Sequence, residues 1–153
     1  MQQRDNALLL ENLLHGRDDH VNIVRDRNDS ECEYDFIVGK GDDLFHLSNL
    51  IGRSNCLKSL CLRHMPTNTS FGDALAENKS IQKLEIGEDL GEEGYRCLAP
   101  FFRNTITLEQ LAIDDHISRS AFSLKNIASL LSRYQTKSLK RIYLEAYLEA
   151  EGS

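Results

Sequence analysis

The sequence predicts an α/β fold, a parallel sheet with helices on one side, built from a single strand-and-helix unit used several times. Three observations carry this. The segments "LKSLCL" at 57–62, "IQKLEI" at 81–86, "LEQLAI" at 108–113 and "LKRIYL" at 139–144 align without gaps, and every first, fourth and sixth position holds Leu or Ile. They recur at intervals of 24, 27 and 31 residues, within the range of repeats that stack into solenoids. Between them lie a polar turn and then apolar residues at helical spacing, so a helix carries the chain back to the start of the next parallel strand.

In chain order, residues 1–16, "MQQRDNALLLENLLHG", read as a helix with Leu9, Leu10, Leu13 and Leu14 on its apolar side and Gly16 suited to its end. This helix is expected to cap the first repeat. Residues 17–33 are charged and hold a small apolar cluster; the alternation of Val21 and Ile23 leaves an extra strand and a loose connector both open. The stretch 1–33 carries 4 basic and 8 acidic side chains, a balance of −4 in a chain whose total is −6. "YDFIV" at 34–38 is the expected strand of the first unit, and "DLFHLSNLIGRSNC" at 43–56 its helix, with Leu44, Leu47 and Ile51 on one face. The unit after Leu62 is short and leaves room for a small helix around Phe71 and Leu75. The next helix turns Leu98, Phe101 and Phe102 inward, and Pro100 is expected to kink it or to mark a later start. After Ile113, Ala121, Leu124, Ala128 and Leu131 make one stripe. The last strand is followed only by "EAYLEAEGS". The final unit is therefore expected to be incomplete, with a bare sheet edge, as in a fragment of a longer array. The expected organisation is a helical cap and charged connector over 1–33, then a repeat array of about four to five units over 34–153.

A length of 153 residues fits one domain. The negative balance argues against a general nucleic-acid binder, which needs a basic footprint. No apolar run approaches the roughly 18 residues of a membrane helix. Cys32, Cys56, Cys61 and Cys97 stand 24, 5 and 36 residues apart, spacings that match no zinc or redox pattern. They are expected to be reduced and mostly buried, in a cytoplasmic protein. The Asn-x-Ser/Thr triplets at Asn28, Asn68 and Asn78 read as chance. The glycine-rich turn in "SIQKLEIGEDLGEEG" (80–94) resembles a phosphate cradle, but a turn of this kind recurs from unit to unit, so its glycines serve chain reversal. "GKGDD" at 39–43 is no P-loop, because Tyr34 stands where the first glycine is required.

Leu-x-x-Leu-x-Leu segments at these intervals, each followed by a helix, resemble leucine-rich repeats, and the full helices resemble the ribonuclease-inhibitor-like subclass. Phrases such as "LAPFFRN" and "TKSLKRIYLE" are similar to those of algal repeat proteins. The resemblance covers about residues 34–148 and implies a solenoid with its parallel sheet on the concave side, helices on the convex side and protein partners on the concave surface. The chain departs from the family at the ninth position, usually Asn or Cys, where it has Met65, Asp89, His116 and Tyr147. The asparagine ladder of that turn is expected to be absent or replaced by Asp89 and His116.

On this fold the second, third and fifth residues of each segment face away from the helices in three columns: Lys58, Gln82, Glu109 and Lys140; Ser59, Lys83, Gln110 and Arg141; Cys61, Glu85, Ala112 and Tyr143. Such columns are either a solvated face or a partner site. The candidate partner-binding residues are Lys58, Lys83, Glu85, Glu109, Gln110, Lys140, Arg141 and Tyr143, with Tyr143 the anchor unless a terminal segment covers it. Asp42, Asp43, Glu88, Asp89, Asp114 and Asp115 recur in the turns and could form an acidic rim that steers a basic partner. No cofactor, metal or small-molecule substrate is expected. The histidines fall in different units and assemble no triad. Cys61, beside Lys58 and Arg63, could react if those cations lower its pKa. The expected function is a non-catalytic protein-interaction scaffold. The alternatives are a sensor or regulatory segment of a larger receptor or GTPase-regulator-like protein, and, from a different class, an enzyme using Cys61.

Overall fold

A computed structural model of the chain describes residues 5–25, 32–38, 43–64, 66, 69–87, 91–113, 121–134 and 136–144. The elements run α1 (Asn6–Leu14), β1 (His20–Val24), β2 (Asp35–Ile37), α2 (Asp43–Arg53), β3 (Ser59–Leu62), α3 (Thr69–Glu77), β4 (Lys83–Ile86), α4 (Gly91–Asn104), β5 (Gln110–Ile113), α5 (Ala121–Tyr134) and β6 (Arg141–Leu144). All six strands form one parallel sheet in the order β2-β1-β3-β4-β5-β6. Helices α1 to α5 pack in chain order, each on the next, along one face. The other face carries no helix among the described residues.

The aliphatic triplets behave as their spacing requires. Leu57, Leu60, Leu62, Ile81, Leu84, Ile86, Leu108, Leu111 and Ile113 are all buried against the helix layer, where they meet Leu47, Ile51, Phe71, Leu75, Leu98, Phe101 and Phe102. Each such side chain contributes roughly 1.5–3 kcal/mol of transfer free energy. The last triplet differs: Leu139 is partly buried, Ile142 is 50% exposed, and the side chain of Leu144 lies outside the described residues.

Three expectations need correction. The strand beside β3 is β1, not the "YDFIV" strand, which lies outside β1 at the sheet edge. Val21 and Ile23 occupy the fourth and sixth positions of a repeat strand, in register with Leu60 and Leu62; the first position holds Asp18 instead of an aliphatic residue, which hid the match. Pro100 marks no later helix start, because α4 runs from Gly91 through it to Asn104. In α5 Ile127 is buried and the expected Leu131 packs at the core margin beside Leu130, but Ala128 is exposed; the side chains of Ala121 and Leu124 lie outside the described residues. The cysteines also differ from expectation: all four are free thiols, but only Cys61 is buried.

Helix α1 begins at Asp5, whose carboxylate accepts the Leu8 N–H at 2.8 Å. It ends at Gly16, whose φ of 69° suits glycine. Leu9 and Leu13 are buried in the core, Leu10 packs at its margin and Leu14 is exposed. The helix also closes the outer side of β2. The Asn6 amide donates to the Ile37 carbonyl at 2.8 Å and accepts the Ile37 N–H at 2.9 Å, as a neighbouring strand would.

A second repeat, polar and unforeseen, lies where each helix turns into the next strand. The residue three places before the triplet accepts two backbone N–H groups. Ser54 takes those of Cys56 and Leu57 at 3.1 and 2.9 Å. Asn78 takes those of Ser80 and Ile81, both at 2.8 Å. Thr105 takes those of Thr107 and Leu108 at 3.4 and 3.1 Å. Two members of the series also reach the preceding helix: Asn78 donates to the Ile51 carbonyl at 2.7 Å, and Thr136 to that of Phe102 at 3.1 Å. Asp89 and His116, the expected replacements for the ladder at the other end of the strands, lie outside the described residues.

Candidate functional site on the open sheet face

The parallel register sets three rows of side chains across the open face. In the first, main-chain bonds of 2.7–2.8 Å run from Lys58 to Asp19, Gln82 to Lys58, Glu109 to Gln82 and Lys140 to Glu109. The second row is His20, Ser59, Lys83, Gln110 and Arg141, and the third is Asp35, Asn22, Cys61, Glu85, Ala112 and Tyr143. Neighbours along a row are about 4.8 Å apart, so side chains two strands away remain within reach of one ligand. All eight residues singled out from the sequence as partner contacts stand on this face. The sequence reading missed His20, Asn22 and Asp35, although the alternation of Val21 and Ile23 carried the signal.

The face is more buried at one end than at the other. Over β1 and β2 it is a closed polar cluster. Asp35, at 0% exposure, accepts the Asn22 amide at 2.8 Å and the Cys32 N–H at 2.8 Å. The rings of His20 and Tyr34 meet edge-on at 5.6 Å. From β3 to β6 the face opens. Lys58, Lys83, Lys140 and Arg141 are exposed, Glu85, Glu109 and Gln110 are intermediate, and Tyr143 is 44% exposed. Lys140 and Glu109 pair at 3.0 Å, but both are well solvated, so the pair contributes at most about 1 kcal/mol.

Cys61 departs from its expected role. It is only 6% exposed, and its thiol donates to the Glu85 carboxylate at 3.1 Å. Burial pushes its pKa up, and the bond to Glu85 and the Glu85 charge push it further; Arg63 acts in the opposite direction and is outweighed. The sulfur is therefore held as a thiol, the poor nucleophile. The expected lowering is outweighed, first by burial of the thiol and then by the Glu85 carboxylate it donates to.

The acidic rim rests on one described residue. Asp43 opens α2, where its charge suits the helix N-terminus, and its carboxylate accepts the Asn6 amide at 3.0 Å. Asp42, Glu88, Asp89, Asp114 and Asp115 lie outside the described residues. Among the described residues, no three His, Cys, Asp or Glu side chains converge as metal ligands, and no helix is long and apolar enough to cross a membrane. What the open face offers chemically is hydrogen bonding, charge and one half-exposed aromatic ring. No protein-family model matches the chain, and no curated protein is found to match it.

Proposed function

We propose that the chain is a non-catalytic leucine-rich-repeat module, of the ribonuclease-inhibitor-like kind, that holds a protein partner on the open face of its sheet. The carrying observation is the register that lines up Lys58, Lys83, Glu85, Glu109, Gln110, Lys140, Arg141 and Tyr143 on the sheet face that carries no helix among the described residues. Repeated strand–turn–helix units at 24 to 31 residues support the family reading. Tyr and Arg side by side on β6 support an anchor there, since both are enriched where binding energy concentrates. With four free thiols, a reducing compartment such as the cytoplasm suits the chain.

The test is affinity capture with the purified chain, followed by identification of the retained protein. A defined partner should be retained and then lost with the double substitution Tyr143→Ala, Arg141→Ala. Lys125→Ala, on exposed α5, should retain it. A partner that ignores the double substitution would move the site off this face. A second reading, a regulatory repeat segment working within a larger receptor or GTPase regulator, draws on the half-exposed apolar side chain of Ile142. Its check is the complete transcript, which on that reading encodes further strand–helix units.

A further inference from the structure

The geometry points to an acidic, extended polypeptide segment as the occupant of the open face, an inference that rests on the binding role proposed above. The charge on this face opposes that of the molecule. The chain carries −6, yet from β3 to β6 the face presents Lys58, Lys83, Lys140 and Arg141 against only Glu85 and Glu109. Both acids are already engaged: Glu85 accepts the Cys61 thiol, and Glu109 accepts Lys140. Lys58, Lys83 and Arg141 are exposed and make no ion pair among the described residues.

The middle row, His20, Ser59, Lys83, Gln110 and Arg141, contains no carboxylate at all. It is a line of donors crossing the strands. Lys83 and Arg141 are two strands apart, a separation of about 9.6 Å. A polyproline-II segment advances about 9.3 Å in three residues and brings the same face round again. Carboxylates at every third position of such a segment would meet Lys83 and Arg141 in turn, and an apolar side chain next to the second carboxylate would have Tyr143, two residues along β6 from Arg141, to rest on. A nucleic acid is the poorer fit, because its long phosphate track would run past these few cations onto an acidic surface.

The test uses fluorescence anisotropy with three labelled probes. One is a dodecapeptide with Glu at every third position and Val and Ser between, one is the same peptide with Lys for Glu, and one is an oligothymidylate of equal length. The acidic peptide should bind, weaken as salt rises, and lose about tenfold in affinity with either Lys83→Glu or Arg141→Glu. The neutral variants Lys83→Gln and Arg141→Gln should fall between, and Lys125→Glu on α5 should change nothing. All of these positions are exposed, and circular dichroism confirms that the variants remain folded. No binding of the acidic peptide, equal binding of the Lys peptide, indifference to the charge reversals, or tighter binding of the oligothymidylate would each overturn the inference. The two readings separate cleanly. If only the acidic preference fails, Tyr143→Ala still abolishes capture of the partner while Lys83→Glu does not. If the face binds nothing, Tyr143→Ala is also without effect.

Discussion

Asn78 joins two units of the fold through one buried side chain. Its oxygen accepts two N–H groups that lead into β4, and its nitrogen reaches the carbonyl of Ile51 at the end of α2. Replacing it with Ala leaves buried donors and an acceptor without partners, which should cost about 2–3 kcal/mol. Urea unfolding should show the midpoint falling with its slope unchanged, while Lys79→Ala next door, exposed at its side chain, changes little. The same environment bars Asn78 from serving as a glycosylation acceptor. Cys61 gives the second expectation at this scale. Because its pKa is raised above the ordinary thiol value of 9.0, its share of stability is complete below that value. As pH climbs beyond it, the unfolded chain ionises first and that share is lost. Thiol labelling of the native protein at mildly alkaline pH should therefore modify exposed Cys56 quickly and Cys61 only on the timescale of opening. Rapid native labelling of Cys61 would contradict the thiol–carboxylate bond.

At the scale of elements, the helices approach one another through two glycines. A Cβ at Gly72 of α3 would stand 3.1 Å from the Cys97 carbonyl of α4, and one at Gly52 of α2 would stand 3.3 Å from the Ala74 carbonyl of α3. Gly72→Val should push α3 and α4 apart and destabilise the fold by about 1–3 kcal/mol, measurable as a lower thermal midpoint. Strands β3 to β6 and the helices between them were legible because position after position repeats an aliphatic choice, and burial on one face enforces it. β1 was half legible: Val21 and Ile23 fit the repeat, but Asp18 at its start does not. The order β2-β1-β3 was not legible at all, because Phe36 and Ile37 suit an edge strand and an inner one equally. The polar turn series went unnoticed because Ser54, Asn78 and Thr105 share a function, accepting backbone N–H groups, without sharing an identity. On the open face, which residues line up was readable from the period. Which acids are already engaged, at Glu85 and Glu109, was not, since that depends on cross-strand neighbours.

The whole molecule has two unlike ends. At one, α1 covers the core and the Asn6 amide satisfies the N–H and carbonyl of Ile37 in β2. At the other, β6 pairs only with β5 among the described strands, and Ile142 and Tyr143 stand half in water. Such an edge is prone to association. Ile142→Lys should lower self-association in concentrated solution, seen by light scattering, and shift the thermal midpoint little because the side chain is already half exposed. Asn6→Leu should do the reverse, exposing Ile37 to pairing and costing about 1–3 kcal/mol.

The side-chain amide that stands in for a missing strand also gives the array a direction. Among the described residues, a grafted strand would find β6 paired on one side only, and its helix would find the half-exposed Ile142 to cover. A unit placed ahead of β2 must first evict Asn6 and α1. Growth is thus polar, like that of a filament with one blocked tip, and each added module would lengthen the rows of the open face by a single rung.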